Sequence, residues 1–300
     1  MDCNKLDCNK QDCNNRAEID LHIHSTASDG TLSPYEILAT AQNKDLRAIA
    51  ITDHDTIDGS KQAIKIGIPS SLKFLTGVEI SVTPPSAFLS SSSFHLLGYS
   101  IRLDDPVLNK ALDVLQEARK NRNPKIVEKL NNLGFNFSID DLRNEIGKSQ
   151  IGRPHIAKFM IAKGFVKSIG EAFDKYLGQG KPAYVEKYRI DCDKAIKIIL
   201  DAGGIPVLAH PILLEFQAGK TLEDFIISLK PMGLKGIEVY YSEHSPDDTA
   251  YYSLLAKRYG LLMTGGSDFH GSLKPDIQMG SGKGNLAISY DLYEKIVSSS

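Results

Sequence analysis

Asp20-Leu21-His22-Ile23-His24-Ser25-Thr26-Ala27-Ser28-Asp29-Gly30 reads as a short strand running into a tight loop. Strand side chains alternate faces with period two. Ile19, Leu21 and Ile23 are therefore expected on one face, and Asp20, His22 and His24 on the other. Two imidazoles at i and i+2 can grip one cation, and neutral imidazole suits zinc, manganese and iron. Asp29 is a further anionic ligand candidate, and Gly30 lets the loop turn sharply. A His-X-His pair at a strand end is equally compatible with two satisfied or exposed histidines, so the rest of the chain has to decide.

Strands and helices alternate on both sides of this stretch. Ser33-Pro34-Tyr35-Glu36 is a helix start, with Ser33 as N-cap, Pro34 at the first helical position and Glu36 completing a capping box. The run from Arg47 to His54 is continuously apolar before Asp53, His54 and Asp55, as in a strand buried on both faces. A helix is expected near 58–67 and a strand from Lys73 to Ser81. Glu79 inside that apolar strand needs a partner, because an unpaired buried charge is costly. A strand follows over Phe94–Tyr99. From about 105 to 180 the chain reads as helices only. Alternation resumes with a helix at 191–202, the strand ending at His210, a helix near 221–230, the strand 236–241, a helix at 246–259 and the strand that opens into Gly265-Gly266-Ser267-Asp268-Phe269-His270. This order implies an α/β fold with a parallel sheet or barrel, interrupted by a helical insertion.

The polar residues fall in one kind of place. His22, His24, Asp29, His54, Glu79, His95, His210, Asp268 and His270 lie at or near expected C-terminal strand ends, which in a (β/α) barrel surround one mouth. Six of the eight histidines are in this set. Imidazole and carboxylate without thiolate suit manganese, iron or zinc and argue against a structural zinc site. The set exceeds the needs of one ion, so two or three divalent cations are expected, with manganese first and iron or zinc as alternatives. Cations roughly 3.5–4 Å apart clamp the attacking and leaving oxygens of a phosphate ester and supply hydroxide near neutral pH.

These motifs resemble those of the PHP (polymerase and histidinol phosphatase) superfamily. They are Asp20 to Gly30, Ile51-Thr-Asp-His-Asp55, Gly77-Val-Glu-Ile80, His95-Leu-Leu-Gly-Tyr99, Ala209-His-Pro211 and Gly266-Ser-Asp-Phe-His270, spanning about residues 17–285. The pattern is similar to the stand-alone phosphoesterases with a helical insertion, which act on nucleoside 3′,5′-bisphosphates or short 5′-phosphorylated RNA. The resemblance implies a distorted (β/α)7 barrel over 17–104 and 190–300 with an insertion at 105–189 serving as a substrate lid. It implies one cation held by His22, His24, Glu79 and Asp268, a second by Glu79, His95 and His210, and a third by Asp29, His54 and His270. It further implies in-line attack of a metal-bound hydroxide on phosphorus, with Asp20 and Asp53 orienting ligands by hydrogen bonds. Alternatives are a small-metabolite phosphatase, such as one for histidinol phosphate, and a metal-binding regulatory module without turnover.

Gly152-Arg153-Pro154-His155 matches the insertion motif of that branch and makes Arg153 and His155 candidate contacts to a non-scissile phosphate. His244 is a candidate neighbour of the leaving group or a surface histidine. Residues 102–189 carry 17 Lys and Arg against 11 Asp and Glu. That excess fits either a basic lid over an anionic substrate or ordinary solvated helix faces, such as Arg119, Lys120, Arg122 and Lys125.

The formal net charge of −2 excludes a basic nucleic-acid binder of the whole-surface kind. No apolar run approaches the roughly 20 residues of a membrane span, and no signal-peptide core is visible. A cytoplasmic enzyme with a nucleotide or short-RNA substrate, no membrane and no obligate protein partner is expected. Cys3, Cys8 and Cys13 lie in a polar repeat at residues 1–16 that reads as a disordered extension. The Pro84–Ser93 loop is serine-rich and is expected to narrow access to the second cation.

Overall fold

A computed structural model describes residues 17–85, 88, 94–146 and 151–299. The N-terminal repeat and most of the serine-rich loop lie outside these residues, and the expectations for them are untouched.

Local sequence signals start the elements. Ser33 caps α1 (Pro34–Asn43): its hydroxyl accepts from the Glu36 amide while Glu36 accepts from the Ser33 amide at 2.7 Å. The barrel strands are β1 (Ile19–Ile23), β2 (Ala48–Ile51), β3 (Lys73–Thr83) and β4 (His95–Tyr99). α2 (Asp58–Ile66) connects β2 to β3. After β4 come α3 (Pro106–Asn132), α4 (Ile139–Ile146), α5 (Arg153–Ala162) and α6 (Ile169–Ala172). A short β5 (Ile190–Asp191) then pairs with the end of β3. The chain continues through α7 (Cys192–Asp201), β6 (Ile205–Leu208), α8 (Leu222–Leu229), β7 (Gly236–Tyr241), α9 (Pro246–Tyr259), β8 (Leu262–Gly266) and α10 (Asp291–Val297).

The sheet order is β1-β2-β3-β4-β6-β7-β8. Its edges meet: the His24 amide donates to Phe269 O at 3.0 Å and the Phe269 amide to His22 O at 3.3 Å. Gly266 permits this approach, because a Cβ there would lie 2.3 Å from both the His22 Cβ and its amide nitrogen. The result is a nearly closed α/β barrel.

Two details depart from the sequence expectation. First, the sheet is not wholly parallel: β4 runs antiparallel to both β3 and β6. Among the described residues no helix lies between β3 and β4, and strands joined without a helical crossover pair antiparallel. His95 is accordingly the first residue of its strand, not near the last, and still reaches the same mouth because the strand is reversed. Second, the alternation along β1 breaks. The register slips between Asp20 and Ile23, where three steps of β1 oppose two of β2. Ile19 and Leu21 pack inside the barrel with Ala50, Leu97 and Val207. Ile23 instead joins Ile49, Ile51 and Ile37 beneath the α1–α2 layer. A third apolar group, with Val78, Leu96 and Ile237, seals the outer face of the sheet against α7, α8 and α9. The helices α3 to α6 share a core of their own, including Ile126, Phe137, Ile156 and Met160.

Candidate metal centre

The strand ends bring all nine expected residues to one mouth. Glu79 stands at the middle, fully buried on β3. Its Oε1 lies 2.9 Å from His95 Nδ1 and 2.8 Å from His210 Nε2. Its Oε2 lies 2.7 Å from His54 Nδ1, 3.3 Å from His24 Nε2 and 3.6 Å from His22 Nε2. Asp268 Oδ1 is 3.2 Å from His24 Nε2 and 3.6 Å from His22 Nε2. Asp29 Oδ1 is 3.4 Å from His270 Nε2, and Asp29 Oδ2 is 3.8 Å from His54 Nε2. Two of these side chains reach the mouth through a left-handed backbone: His210 has φ 24° and Asp268 φ 57°. Such conformations are uncommon for residues with a Cβ and concentrate at functional sites.

The rings are held by their far nitrogens. His22 Nδ1 is 2.8 Å from Glu238 Oε1, and His270 Nδ1 donates to the Asp268 carbonyl at 2.8 Å. Each contact fixes the tautomer and leaves Nε2 as a lone pair aimed at the cluster. Glu238 was not singled out from the sequence. Its signal was the one that marked Glu79, a carboxylate inside an apolar strand, Gly236-Ile-Glu-Val-Tyr-Tyr241. It is fully buried, and its Oε2 also accepts the His210 amide at 2.7 Å.

Neither Asp20 nor Asp53 touches a ring, but Asp20 accepts the amide of His22 at 3.2 Å, as expected of a residue that orients a ligand. Asp20 accepts from the amides of Ser267 and Gly280 and from the Ser267 hydroxyl. Asp53 accepts from the Ser25 amide and hydroxyl and from Ser28 Oγ. Both therefore order the loops that carry His24, Asp29 and Asp268.

Among the described residues, several buried polar atoms in the cluster have no hydrogen-bond partner: His22 Nε2, His24 Nε2, Asp29 Oδ1, His54 Nδ1, Glu79 Oε2 and His210 Nδ1. Buried polar atoms normally find partners. Imidazole nitrogens and carboxylate oxygens that converge this closely fit cations, which can replace protons held between them. Three overlapping groups have donor atoms within 4.8 Å of one another: His24, Asp29, His54 and His270; His22, His24 and Glu79; and His54, Glu79 and His95. His24 and His54 each fall in two groups, so the sharing differs from the resemblance, which placed each with one cation. Burial disfavours charge on every member, yet Glu238, Glu79 and Asp268 hold the His22 imidazole well above its ordinary pKa. Burial is likewise outweighed at Glu79, where His54, His95 and His22 hold the carboxyl well below its usual range. Burial dominates at His95, pushed down to about 3. Divalent cations would take over the balancing that shared protons perform.

Above the mouth, the insertion presents cations. The expectation of solvated faces holds for the exposed Lys120 and Lys125 and fails for Arg119 and Arg122, which are 6% and 7% exposed. The spacing Leu108, Leu112, Leu115, Arg119, Arg122, Ile126 puts both arginines on the buried stripe of α3. Arg119 Nη2 donates to Asp55 Oδ2 at 2.6 Å, and Lys187 Nζ lies 3.4 Å from the same oxygen. Among the described residues, Arg122 Nε and Nη1 have no hydrogen-bond partner. Arg153, at the start of α5, donates to the Leu177 carbonyl and lies over the rings of Phe173 and Tyr184. The Gly152 amide donates to His155 Nδ1, leaving Nε2–H as a donor on the wall of a cavity of about 1060 Å³ between the barrel and the insertion. His244 is buried, with Nδ1 donating to Val239 O and Nε2 unpartnered.

Comparison with known proteins agrees with this geometry. The PHP domain model matches residues 20–169. The chain is 35% identical to a 3′,5′-nucleoside bisphosphate phosphatase of Chromobacterium violaceum, over 85% of this chain and 87% of that protein. It is 33% identical to a 5′-3′ exoribonuclease of Haemophilus influenzae, over 84% and 89%. Its fold is similar to that of a candidate metal-dependent phosphoesterase from Bifidobacterium adolescentis, with TM-score 0.80, 28% identity, and 93% and 95% of the two chains covered. With a barrel mouth of imidazoles and carboxylates and these matches, the chain belongs to the PHP domain family and is a metal-dependent phosphoesterase.

Proposed function

We infer that this enzyme removes the 3′-phosphate from nucleoside 3′,5′-bisphosphates. The observation that carries the reading is Arg122, a buried guanidinium with two nitrogens unpartnered among the described residues and within electrostatic reach of Asp55, the residue after His54. An unpaired buried charge is costly unless an anion completes it. Around it stand Arg119, Arg153, Lys187 and Arg189, against the acids Asp55 and Glu186. A substrate with two phosphates supports both features: one phosphate over the metal centre and one under the insertion, whose helices over 105–189 serve as a lid. The relative that acts as a 3′,5′-nucleoside bisphosphate phosphatase supports the same reading.

His22, His24, Asp29, His54, Glu79, His95, His210, Asp268 and His270 would hold the cations, manganese first. Bound there, the cations offset charge on the phosphoryl oxygens and activate water. The protein's own part is orientation. Glu238 holds His22, Asp20 and Asp53 hold the loops, and His155 Nε2–H with Arg153 and Arg122 receives the distal phosphate. Water and the 3′-phosphate ester yield a 3′-hydroxyl and inorganic phosphate. His244, with its free Nε2, stands as an acceptor for a substrate hydroxyl.

A second reading adds short 5′-phosphorylated RNA. The exoribonuclease relative and the cavity of about 1060 Å³ favour it, since the cavity is at the upper end of single-ligand pockets. Among the described residues no helix is long and apolar enough to cross a membrane. A nucleotide substrate is consistent with the expected cytoplasmic location.

The test is phosphate release from adenosine 3′,5′-bisphosphate with added manganese, run beside 5′-AMP, histidinol phosphate and a short 5′-phosphorylated RNA, with His22→Ala as control. Release from the bisphosphate that is lost in the variant is expected. Release from histidinol phosphate alone would refute the reading.

A further inference from the structure

Lys274 is a cation at the mouth with no part yet assigned. It follows the turn Gly271–Leu273, four residues past His270. Its Nζ lies 2.6 Å from Asp268 Oδ2, the oxygen that also accepts the Tyr241 hydroxyl at 3.1 Å. The other oxygen, Oδ1, faces His22 and His24. Asp268 thus shows one oxygen to the metal centre and one to Lys274. Asp268 is buried, but the Lys274 side chain is 40% exposed, so the ammonium group sits at the boundary between the cluster and solvent. Asp29 and Glu79 also act on it electrostatically. From the insertion, Lys158 Nζ lies 3.4 Å from Ser272 Oγ, two residues away from Lys274.

Two demands on this ammonium oppose each other. A cation next to a metal ligand repels incoming divalent ions and competes for the carboxylate. The same cation attracts a phosphate that arrives over those ions. When ions draw on the charge of Asp268, its hold on Lys274 weakens, and a flexible four-carbon stem lets the head group move.

We propose that Lys274 is a catalytic residue that leaves Asp268 Oδ2 for a non-bridging oxygen of the scissile phosphate. It keeps its proton throughout. Water adds to phosphorus, the P–O ester bond breaks, the leaving oxygen takes up one proton from that water as it becomes a hydroxyl, and the ammonium group offsets charge on the oxygen it touches. The proposal rests on the phosphoesterase reading of this site. It goes beyond that reading by assigning a protein cation, besides the metal ions, to the reacting group.

The discriminating feature is opposite movement. In Lys274→Met, manganese titrated into metal-free protein should bind about three- to tenfold more tightly, because one nearby positive charge is gone. Inorganic phosphate should bind the manganese-loaded variant about tenfold or more weakly, and kcat for adenosine 3′,5′-bisphosphate should fall about tenfold to a hundredfold, the range for a charged hydrogen bond. Lys274→Arg should recover most of both losses. Weaker manganese binding in Lys274→Met would overturn the proposal, since it would mean that Lys274 only orients Asp268. Unchanged phosphate affinity would also overturn it. The phosphate measurement needs no nucleotide turnover, so a wild-type protein inactive on bisphosphate would refute the substrate reading and still decide the role of Lys274.

Discussion

Glu238→Gln tests the metal centre through a residue that need not touch a metal ion. The side chain is fully buried and both oxygens are engaged, Oε1 at 2.8 Å from His22 Nδ1 and Oε2 accepting the His210 amide at 2.7 Å. Glutamine keeps the volume but offers one acceptor and one donor group. If its oxygen stays on the His210 amide, its NH₂ faces His22 Nδ1 and forces the proton to Nε2, removing the lone pair aimed at Glu79 and Asp268. If the amide flips, two N–H groups meet at His210, and a buried unsatisfied donor costs about 1–3 kcal/mol. Either outcome damages one ligand of the cluster. Loss of such an outer partner costs about 10- to 100-fold in metal affinity or activity, or about 1.4–2.7 kcal/mol. The assay is manganese titration of metal-free protein by calorimetry, with stoichiometry from metal analysis and circular dichroism to show that the fold is retained. Wild-type affinity, stoichiometry and turnover in a folded Glu238→Gln protein would refute the claim that His22 is held by this carboxylate.

Four further outcomes are expected. Arg122→Met removes a buried cation with two nitrogens unpartnered among the described residues, so the ligand-free protein should gain about 1–3 kcal/mol in urea unfolding while the Kd for 5′-AMP rises; a loss of stability would show that Arg122 is already paired. Gly266→Ala should cost at least about 3 kcal/mol, because its Cβ would fall 2.3 Å from the Cβ of His22 on the adjoining strand; unfolding measurements check this. Burial pushes Lys187 down to about 8, below its unfolded value near 10.4. The unfolded chain then holds the extra proton between those values, so wild type should gain stability relative to Lys187→Met as pH rises from about 8 to about 10.4, with a constant gap below pH 8; a gap that widens against wild type in that window is the contrary result. Chelation should abolish hydrolysis and lower Tm, both restored by manganese, because the ions bind only the folded cluster.

Much of the site was legible because the family motifs are local. His22 lies near the end of β1 and His24 and Asp29 follow in the next loop, while Asp268 and His270 share another. Their residue types at those spacings carry the chemistry whatever the rest of the chain does. Glu79 announced itself as a charge in an apolar strand. Glu238 sent the same signal in β7 and was passed over, since no motif drew the eye to it. Composition leaves Arg119 and Arg122 open between a basic lid and a solvated face, although their spacing with Leu115 and Ile126 puts them on the buried stripe of α3.

The sequence by itself determined the element types, the capping box at Ser33, the barrel interrupted by helices, and the candidate donor set for divalent ions. These follow from period, capping and side-chain chemistry, which act over a few residues. Only the tertiary structure decided the reversal of β4, the slip in β1 that parts Ile23 from Leu21, the left-handed turns at His210 and Asp268, and the meeting of Asp55 with Arg119 and Lys187. Each of these is settled by partners distant in sequence. Strand direction depends on which neighbour the connection allows, and a strained φ persists only where surrounding packing and hydrogen bonds over-determine it. A carboxylate's choice among cations depends on which helix is laid over it, and short-range pattern carries no record of that.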